Sequence, residues 1–144
     1  MGRLDGPAEQ RVLDLFAGSG ALGLEALSRG AAQATFVESA PGALKVLRAN
    51  LAALGAEAEV VRADALRWLR GAPGGAREYD LVFLDPPYRR AAELGAPLSD
   101  SLPAVLAPGA VVIAESDRRS PLELTITQTD ERRYGDTLIR IHAA

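Results

Sequence analysis

Short apolar runs separated by stretches of helical periodicity restrict what this chain can become more than any other feature. They fall at Arg11 to Leu15, Ala34 to Glu38, Glu59 to Arg62 and Leu81 to Leu84, with a fifth at Ala110 to Glu115. Strands that alternate with helices imply a parallel sheet with right-handed crossovers. The clearest helix is Pro41 to Leu54, where Leu44, Leu47, Leu51 and Leu54 form one stripe and Gly55 supplies the stop. Gly71 to Arg77 reads as a glycine-rich loop. Ala91 to Leu106 reads as a helix broken near Pro97, placed to cover a site at the end of the fourth strand. Two alternating segments close the chain, Leu122 to Gln128 and Thr137 to His142, joined by Thr129 to Asp136 as a hairpin. The expected fold is α/β, a mostly parallel seven-stranded sheet with a C-terminal antiparallel hairpin.

The first four strand candidates are each closed by an acid: Asp14, Glu38, Asp64 and Asp85. In an open α/β sheet the C-terminal strand ends gather at one crevice, so these carboxylates are expected to line one site. Gly18-Ser19-Gly20-Ala21-Leu22-Gly23 follows the first strand and opens a helical stretch. A glycine turn at that point lets a ligand approach the backbone and meet a helix N-terminus. The spacing also fits a dinucleotide fingerprint, with Glu38 positioned for ribose hydroxyls. Asp14 separates the possibilities, because a carboxylate just before the turn repels a pyrophosphate and attracts the cationic methionine part of S-adenosylmethionine. Asp64 suits the amine of an adenine, and suits equally the N-cap of a helix carrying Leu66, Trp68 and Leu69. The candidate cofactor contacts are Asp14, the turn residues Phe16, Ala17, Gly18, Ser19 and Gly20, the pairs Glu38-Ser39 and Asp64-Ala65, and Asp85.

Asp85-Pro86-Pro87-Tyr88 sets a carboxylate and an aromatic ring at the tip of the fourth strand. Two consecutive prolines fix φ and remove two backbone donors, leaving carbonyl oxygens to accept hydrogen bonds. A loop of acceptors needs a donor guest, and an exocyclic NH2 group offers one proton to Asp85 and one to the Pro86 carbonyl. Tyr88 offers a face on which a planar ring can stack. These four are the candidate catalytic residues, although an ordinary Pro-Pro turn with a packing tyrosine would read the same.

Together these segments resemble the RsmD-type methyltransferases. The matching stretches are Asp14 to Ala31, Phe36-Val37-Glu38, Asp80 to Tyr88, and Arg132-Arg133-Tyr134-Gly135-Asp136-Thr137. The resemblance covers nearly the whole chain. It implies a Rossmann-like class I methyltransferase fold, S-adenosylmethionine as cofactor, and methylation of the exocyclic N2 of a guanine in small-subunit ribosomal RNA. The partner it implies is ribosomal RNA, free or within a small-subunit assembly particle. There is one departure: members usually carry a basic segment before the first strand, and here the leader Met1 to Gln10 is too short to replace it. The protein is then trimmed, or a fragment, or contacts RNA elsewhere.

Composition narrows the classes further. A length of 144 residues suits one domain with one core. No apolar run reaches membrane-spanning length and no signal region precedes the first strand, so a soluble cytoplasmic protein is expected; a monomer is the expected state, although nothing in the sequence fixes it. The absence of cysteine excludes disulfides and thiolate metal sites, and the single histidine, His142, makes a histidine metal centre or a Ser-His hydrolase implausible. His142 is expected as a partly exposed terminal residue without a role. The net charge of −3 sits awkwardly with an RNA partner. Lys45 is the sole lysine, and arginine occurs as the pairs Arg89-Arg90, Arg118-Arg119 and Arg132-Arg133. These pairs border one face or are solvated loop charges, and Arg89-Arg90 adjoins the proposed base-binding loop. Three other readings stand beside this one: an adenine-N6 methyltransferase on DNA or RNA, a nicotinamide-dependent oxidoreductase, and a non-catalytic cofactor-binding module.

Overall fold

Alternation along each strand decides which side of the sheet its side chains serve. A computed structural model describes residues 10–71 and 78–144. On the first strand, β1 (Arg11–Leu15), Leu13 and Leu15 turn to one face and Val12 to the other. Helices cover both faces: α1 (Ala21–Ser28) and α2 (Pro41–Leu54) on the Val12 side, α3 (Ala65–Gly71) and α4 (Ala91–Ser101) on the Leu13 side. On the first side Phe36, Leu44, Leu47, Leu51 and Phe83 pack together. On the second, Leu69, Val82, Leu84, Leu94, Leu98 and Val112 do so. Each enclosed leucine stabilises the fold by roughly 1.5–3 kcal/mol.

The remaining strands are β2 (Gln33–Glu38), β3 (Glu59–Arg62), β4 (Tyr79–Leu84), β5 (Leu106–Asp117), β6 (Gln128–Tyr134) and β7 (Thr137–Ala143). They form one seven-stranded sheet in the order β3-β2-β1-β4-β5-β7-β6. The pairs from β3 through β5 are parallel, and β7 runs antiparallel to both β5 and β6. From β1 the chain winds outward through β2 to β3, then returns to build β4 and β5 on β1's other side. The order therefore reverses between β1 and β4.

Several expectations need correction. The helix expected to break at Pro97 does not: α4 runs through it to Ser101 and then tightens into a 3-10 turn at Leu102–Val105. Proline forfeits one backbone bond, but Leu94 and Leu98 are buried on either side of it and hold the helix against the sheet. The first strand of the terminal hairpin is Gln128–Tyr134, six residues later than Leu122 to Gln128, and its turn is only Gly135-Asp136. Gly135 has φ +60°, as the leading residue of a two-residue hairpin turn requires. Leu122 to Thr127 alternates like a strand but is drawn over the core: Leu122 is buried and Leu124 and Ile126 pack on the same cluster. Two of its backbone N–H groups go to side chains, Leu122 N–H to Ser116 Oγ and Thr125 N–H to Ser99 Oγ, while the Thr127 carbonyl accepts from Ala143 N–H at 2.9 Å.

His142, expected to be partly exposed, is only 1% exposed. Its Nδ1 lies 2.9 Å from the Ile126 carbonyl, and Nε2 has no partner among the described residues. Leu54, the last member of the α2 stripe, is 44% exposed and so does not belong to the core. Gly71 ends α3, and the rest of the loop expected over Gly71 to Arg77 lies outside the described residues.

Candidate active site

The C-terminal ends of β1 to β5 open on a cavity of about 680 Å³, over the point where the strand order reverses. Open α/β sheets bind ligands at such a reversal. Twelve of the residues singled out in the sequence line it: Asp14, Phe16, Ala17, Gly18 and Ser19 from β1 and its turn; Glu38, Ser39, Asp64 and Ala65 from the next two strand ends; and Asp85, Pro86 and Pro87 from β4. Gly20 is set back from the cavity as the left-handed N-cap of α1, where a β-carbon would run into Leu47, Phe36 and Leu24. Tyr88 begins a 3-10 turn, Tyr88–Arg90, and its side chain lies outside the described residues.

The turn after β1 is built from unusual backbone. Phe16 has φ +63°, which a residue with a side chain rarely adopts outside a constrained site, and Gly18 and Gly20 are also left-handed. Ala17 N–H reaches across to the Val37 carbonyl at 2.9 Å, tying the turn to β2. Glu38 completes the tie: Oε1 accepts from Gly18 N–H at 2.7 Å, and Oε2 from Ser39 and Ala40 N–H at 3.0 and 2.9 Å. Asp64 Oδ2 accepts from Arg67 N–H at 3.0 Å, so it caps α3 and faces the cavity as well.

Asp14 lies beneath the turn, 2% exposed, with Oδ2 accepting from Gly23 N–H at 3.0 Å. A side chain at position 23 would meet the Phe36 ring and the Asp14 carboxylate, so only glycine lets α1 settle this closely on β1. Burial pushes the Asp14 carboxyl up from 3.8 to about 7, the Gly23 hydrogen bond opposing and the charges of Asp85 and Glu38 adding. Asp85 is pushed up to about 6, first by desolvation at the cavity wall and then by Glu115. A site that holds carboxylates at such cost gains by taking in a cation or a set of hydrogen-bond donors. Within the Pro-Pro loop, Pro87's carbonyl is taken by Arg90 N–H at 2.8 Å, whereas Pro86's has no donor among the described residues.

The cavity has a second half that the sequence reading did not assign, Glu115, Ser116 and Asp117 at the end of β5 and Asp136 and Thr137 at the hairpin turn, and Arg90, expected beside the base-binding loop, lines it too. The signal was present, since Glu115 closes the fifth strand candidate as the other acids close the first four. Asp117 is held well below the usual carboxylate range by hydrogen bonds from Arg119. Asp136 is bound by Arg118 Nε at 3.1 Å. The arginine pairs thus give members to carboxylates: Arg118 and Arg119 here, Arg132 to Asp130 and Arg90 to Glu93. The cover expected from Ala91 to Leu106 is not seen, because no residue of α4 lines the cavity and its buried face turns to the sheet. Among the described residues no helix is long and apolar enough to cross a membrane.

A seven-stranded sheet in this order, with acids at the strand ends around a glycine turn, is the Rossmann-like fold of the class I methyltransferases. Residues 5–143 match the family described as conserved hypothetical protein 95, and the chain belongs to that family, the RsmD-type methyltransferases. It is 38% identical over 139 residues to YlbH of Bacillus subtilis (strain 168), provisionally named an rRNA methyltransferase, covering 92% of this chain and 74% of YlbH. Over 85 residues it is 48% identical to ribosomal RNA small subunit methyltransferase D of Escherichia coli (strain K12), covering 57% of this chain and 40% of that protein. A solved structure from Escherichia coli, provisionally described as the methyltransferase yhhF, superposes with a TM-score of 0.78 at 35% identity, covering 97% of this chain and 79% of that one.

Proposed function

We propose that this chain is an S-adenosylmethionine-dependent enzyme that methylates the exocyclic N2 amine of a guanine in small-subunit ribosomal RNA. The observation that carries this reading is the opening of the Asp85-Pro86-Pro87 loop onto the same cavity as the glycine turn and the buried carboxylate of Asp14. The residues fit the cofactor. Asp14 would offer a charge to the methionine ammonium, Glu38 and Ser39 would offer acceptors to the ribose hydroxyls, and Asp64 and Ala65 would flank the adenine. The turn residues Phe16 to Gly20 bring backbone close to the ligand and aim α1 at it.

S-adenosylmethionine supplies the methyl group on a sulfonium, the S–C bond breaking as the amine's lone pair forms the new C–N bond. The protein's share is orientation and charge. A nucleobase amine is a weak nucleophile because its lone pair is delocalised into the ring. Hydrogen bonds from its two N–H groups to the Asp85 carboxylate and the Pro86 carbonyl favour a more tetrahedral nitrogen and strengthen as positive charge develops there. The nitrogen's proton becomes acidic only after transfer and leaves to Asp85 or to water, so no histidine is needed. Reaching an N2 amine requires an unstacked base, for which Tyr88 is the assigned stacking partner. The substrate is ribosomal RNA, free or in a partly assembled particle, met in the cytoplasm by the chain acting as a single-domain monomer.

The deciding experiment is mass mapping of modified guanines in ribosomal RNA from cells with and without the protein. A guanine that loses its N2-methyl group without the protein is the expected result, and an unchanged map would sink the reading. Labelled methyl transfer to DNA or to adenines would favour the adenine-N6 alternative.

A further inference from the structure

Glu115 is the strand-end acid to which the chemistry above gives no task. Leu84 of β4 pairs in register with Ala114 of β5. The next residues, Asp85 and Glu115, therefore emerge side by side from neighbouring strands about 4.8 Å apart. Leu84 and Ala114 are buried in the cluster under α3 and α4, so alternation turns Asp85 and Glu115 away from that core, and both line the cavity. The other acids there are engaged: Glu38 and Asp64 by backbone N–H groups, Asp117 by Arg119 and Asp136 by Arg118. Among the described residues nothing donates a hydrogen bond to the Glu115 carboxylate or forms an ion pair with it.

Two adjacent carboxylates repel each other until donors arrive between them. The ligand edge that suits them carries donors at neighbouring positions. Guanine's Watson–Crick edge does, with N1–H beside the N2 amine. Adenine sets its amine beside N1, and cytosine beside N3, and both of these are acceptors whose lone pairs would face the second carboxylate.

Resting on the function proposed above, we infer that Glu115 accepts the N1–H of the target guanine while Asp85 and the Pro86 carbonyl hold its N2 amine, making Glu115 the residue that selects guanine over adenine. Glu115 contacts the base and takes no part in bond making. Its loss therefore changes which base is accepted more than how the methyl is transferred.

The test uses small-subunit ribosomal RNA carrying, at the mapped nucleotide, either guanine or 2-aminopurine introduced by splinted ligation. 2-Aminopurine keeps the amine but has a bare acceptor at N1. The natural chain is expected to prefer guanine by roughly 10- to 100-fold in kcat/KM, the effect of one buried acceptor set against a lone pair. Glu115→Gln, whose amide can either accept or donate, should bring that preference to within about threefold, with calorimetric affinity for S-adenosylmethionine unchanged. Glu115→Ala should lower kcat/KM on guanine and also flatten the preference. A natural chain that accepts both bases equally, or a Glu115→Gln variant that keeps the full preference, overturns the inference while guanine methylation stands. If the natural chain methylates no guanine, the proposed function falls first and this inference falls with it.

Discussion

Asp14 carries most of the electrostatic tension of the molecule at the level of single residues. Its folded-state carboxyl titrates at about 7 against an ordinary 3.8 because it is buried. Folding thus favours the protonated form, so this contribution to stability is complete below about pH 4 and is lost as the pH rises through about 7. Chemical denaturation of the ligand-free protein should show stability falling across that window, by an amount on the order of a few kcal/mol. Asp14→Asn, which keeps an acceptor for Gly23 N–H, should flatten the profile. Binding of S-adenosylmethionine has the opposite preference, because its ammonium favours the ionised carboxylate. Calorimetry in buffers of different ionisation heat should reveal proton release on binding below pH 7, and Asp14→Asn should abolish that release while weakening affinity. Asp85→Ala should instead remove methyl transfer and leave cofactor affinity nearly intact; an active variant would take Asp85 out of its assigned role.

Among the elements, α4 is placed by a contact that no periodicity predicts. Its Gly95 faces the backbone of Glu123, and a β-carbon there would collide with the Glu123 carbonyl oxygen. Because the obstacle is backbone, it yields only by moving the Leu122 to Thr127 crossing that covers the core. Gly95→Ala is therefore expected to cost about 1–3 kcal/mol in urea unfolding with an unchanged m-value. Cofactor affinity should not change, since α4 does not reach the cavity. The terminal hairpin shows the converse, an element held without a core. Every residue of β6 is exposed, and it is fixed by pairing to β7, by the Arg140–Glu131 ion pair at 2.9 Å across the strands and by the turn at Gly135. Its charged side chains also suit an open sheet edge, where they discourage pairing with another chain.

Across the whole molecule, stability and chemistry are separated at opposite ends of the sheet. At the N-terminal end Asp80, only 3% exposed, accepts from Arg11 N–H at 2.9 Å and from Arg11 Nε at 3.2 Å, clamping β1 to β4. Asp80→Ala should cost about 2 kcal/mol, less than an enclosed pair loses because the Arg11 side chain is 35% exposed. Below its melting temperature that variant should bind S-adenosylmethionine normally, which differential scanning calorimetry together with titration would check. Normal stability with lost binding would contradict this division.

The parallel sheet, its helices and the acids Asp14, Glu38, Asp64 and Asp85 at its strand ends were legible in the sequence because period and strand order are local properties. Local pattern failed at Leu122 to Thr127, whose alternation serves the core and not a ladder, at the exposed and charged β6, and at His142, which lies on a strand covered by that same crossing. No local rule could bring Glu115 beside Asp85 or bury Asp14 under Gly23, because those neighbours follow from β4–β5 register and from how closely α1 approaches β1. The order of residues thus determined which groups sit at strand ends, and only the folded sheet decided which of them face one another across a single cavity.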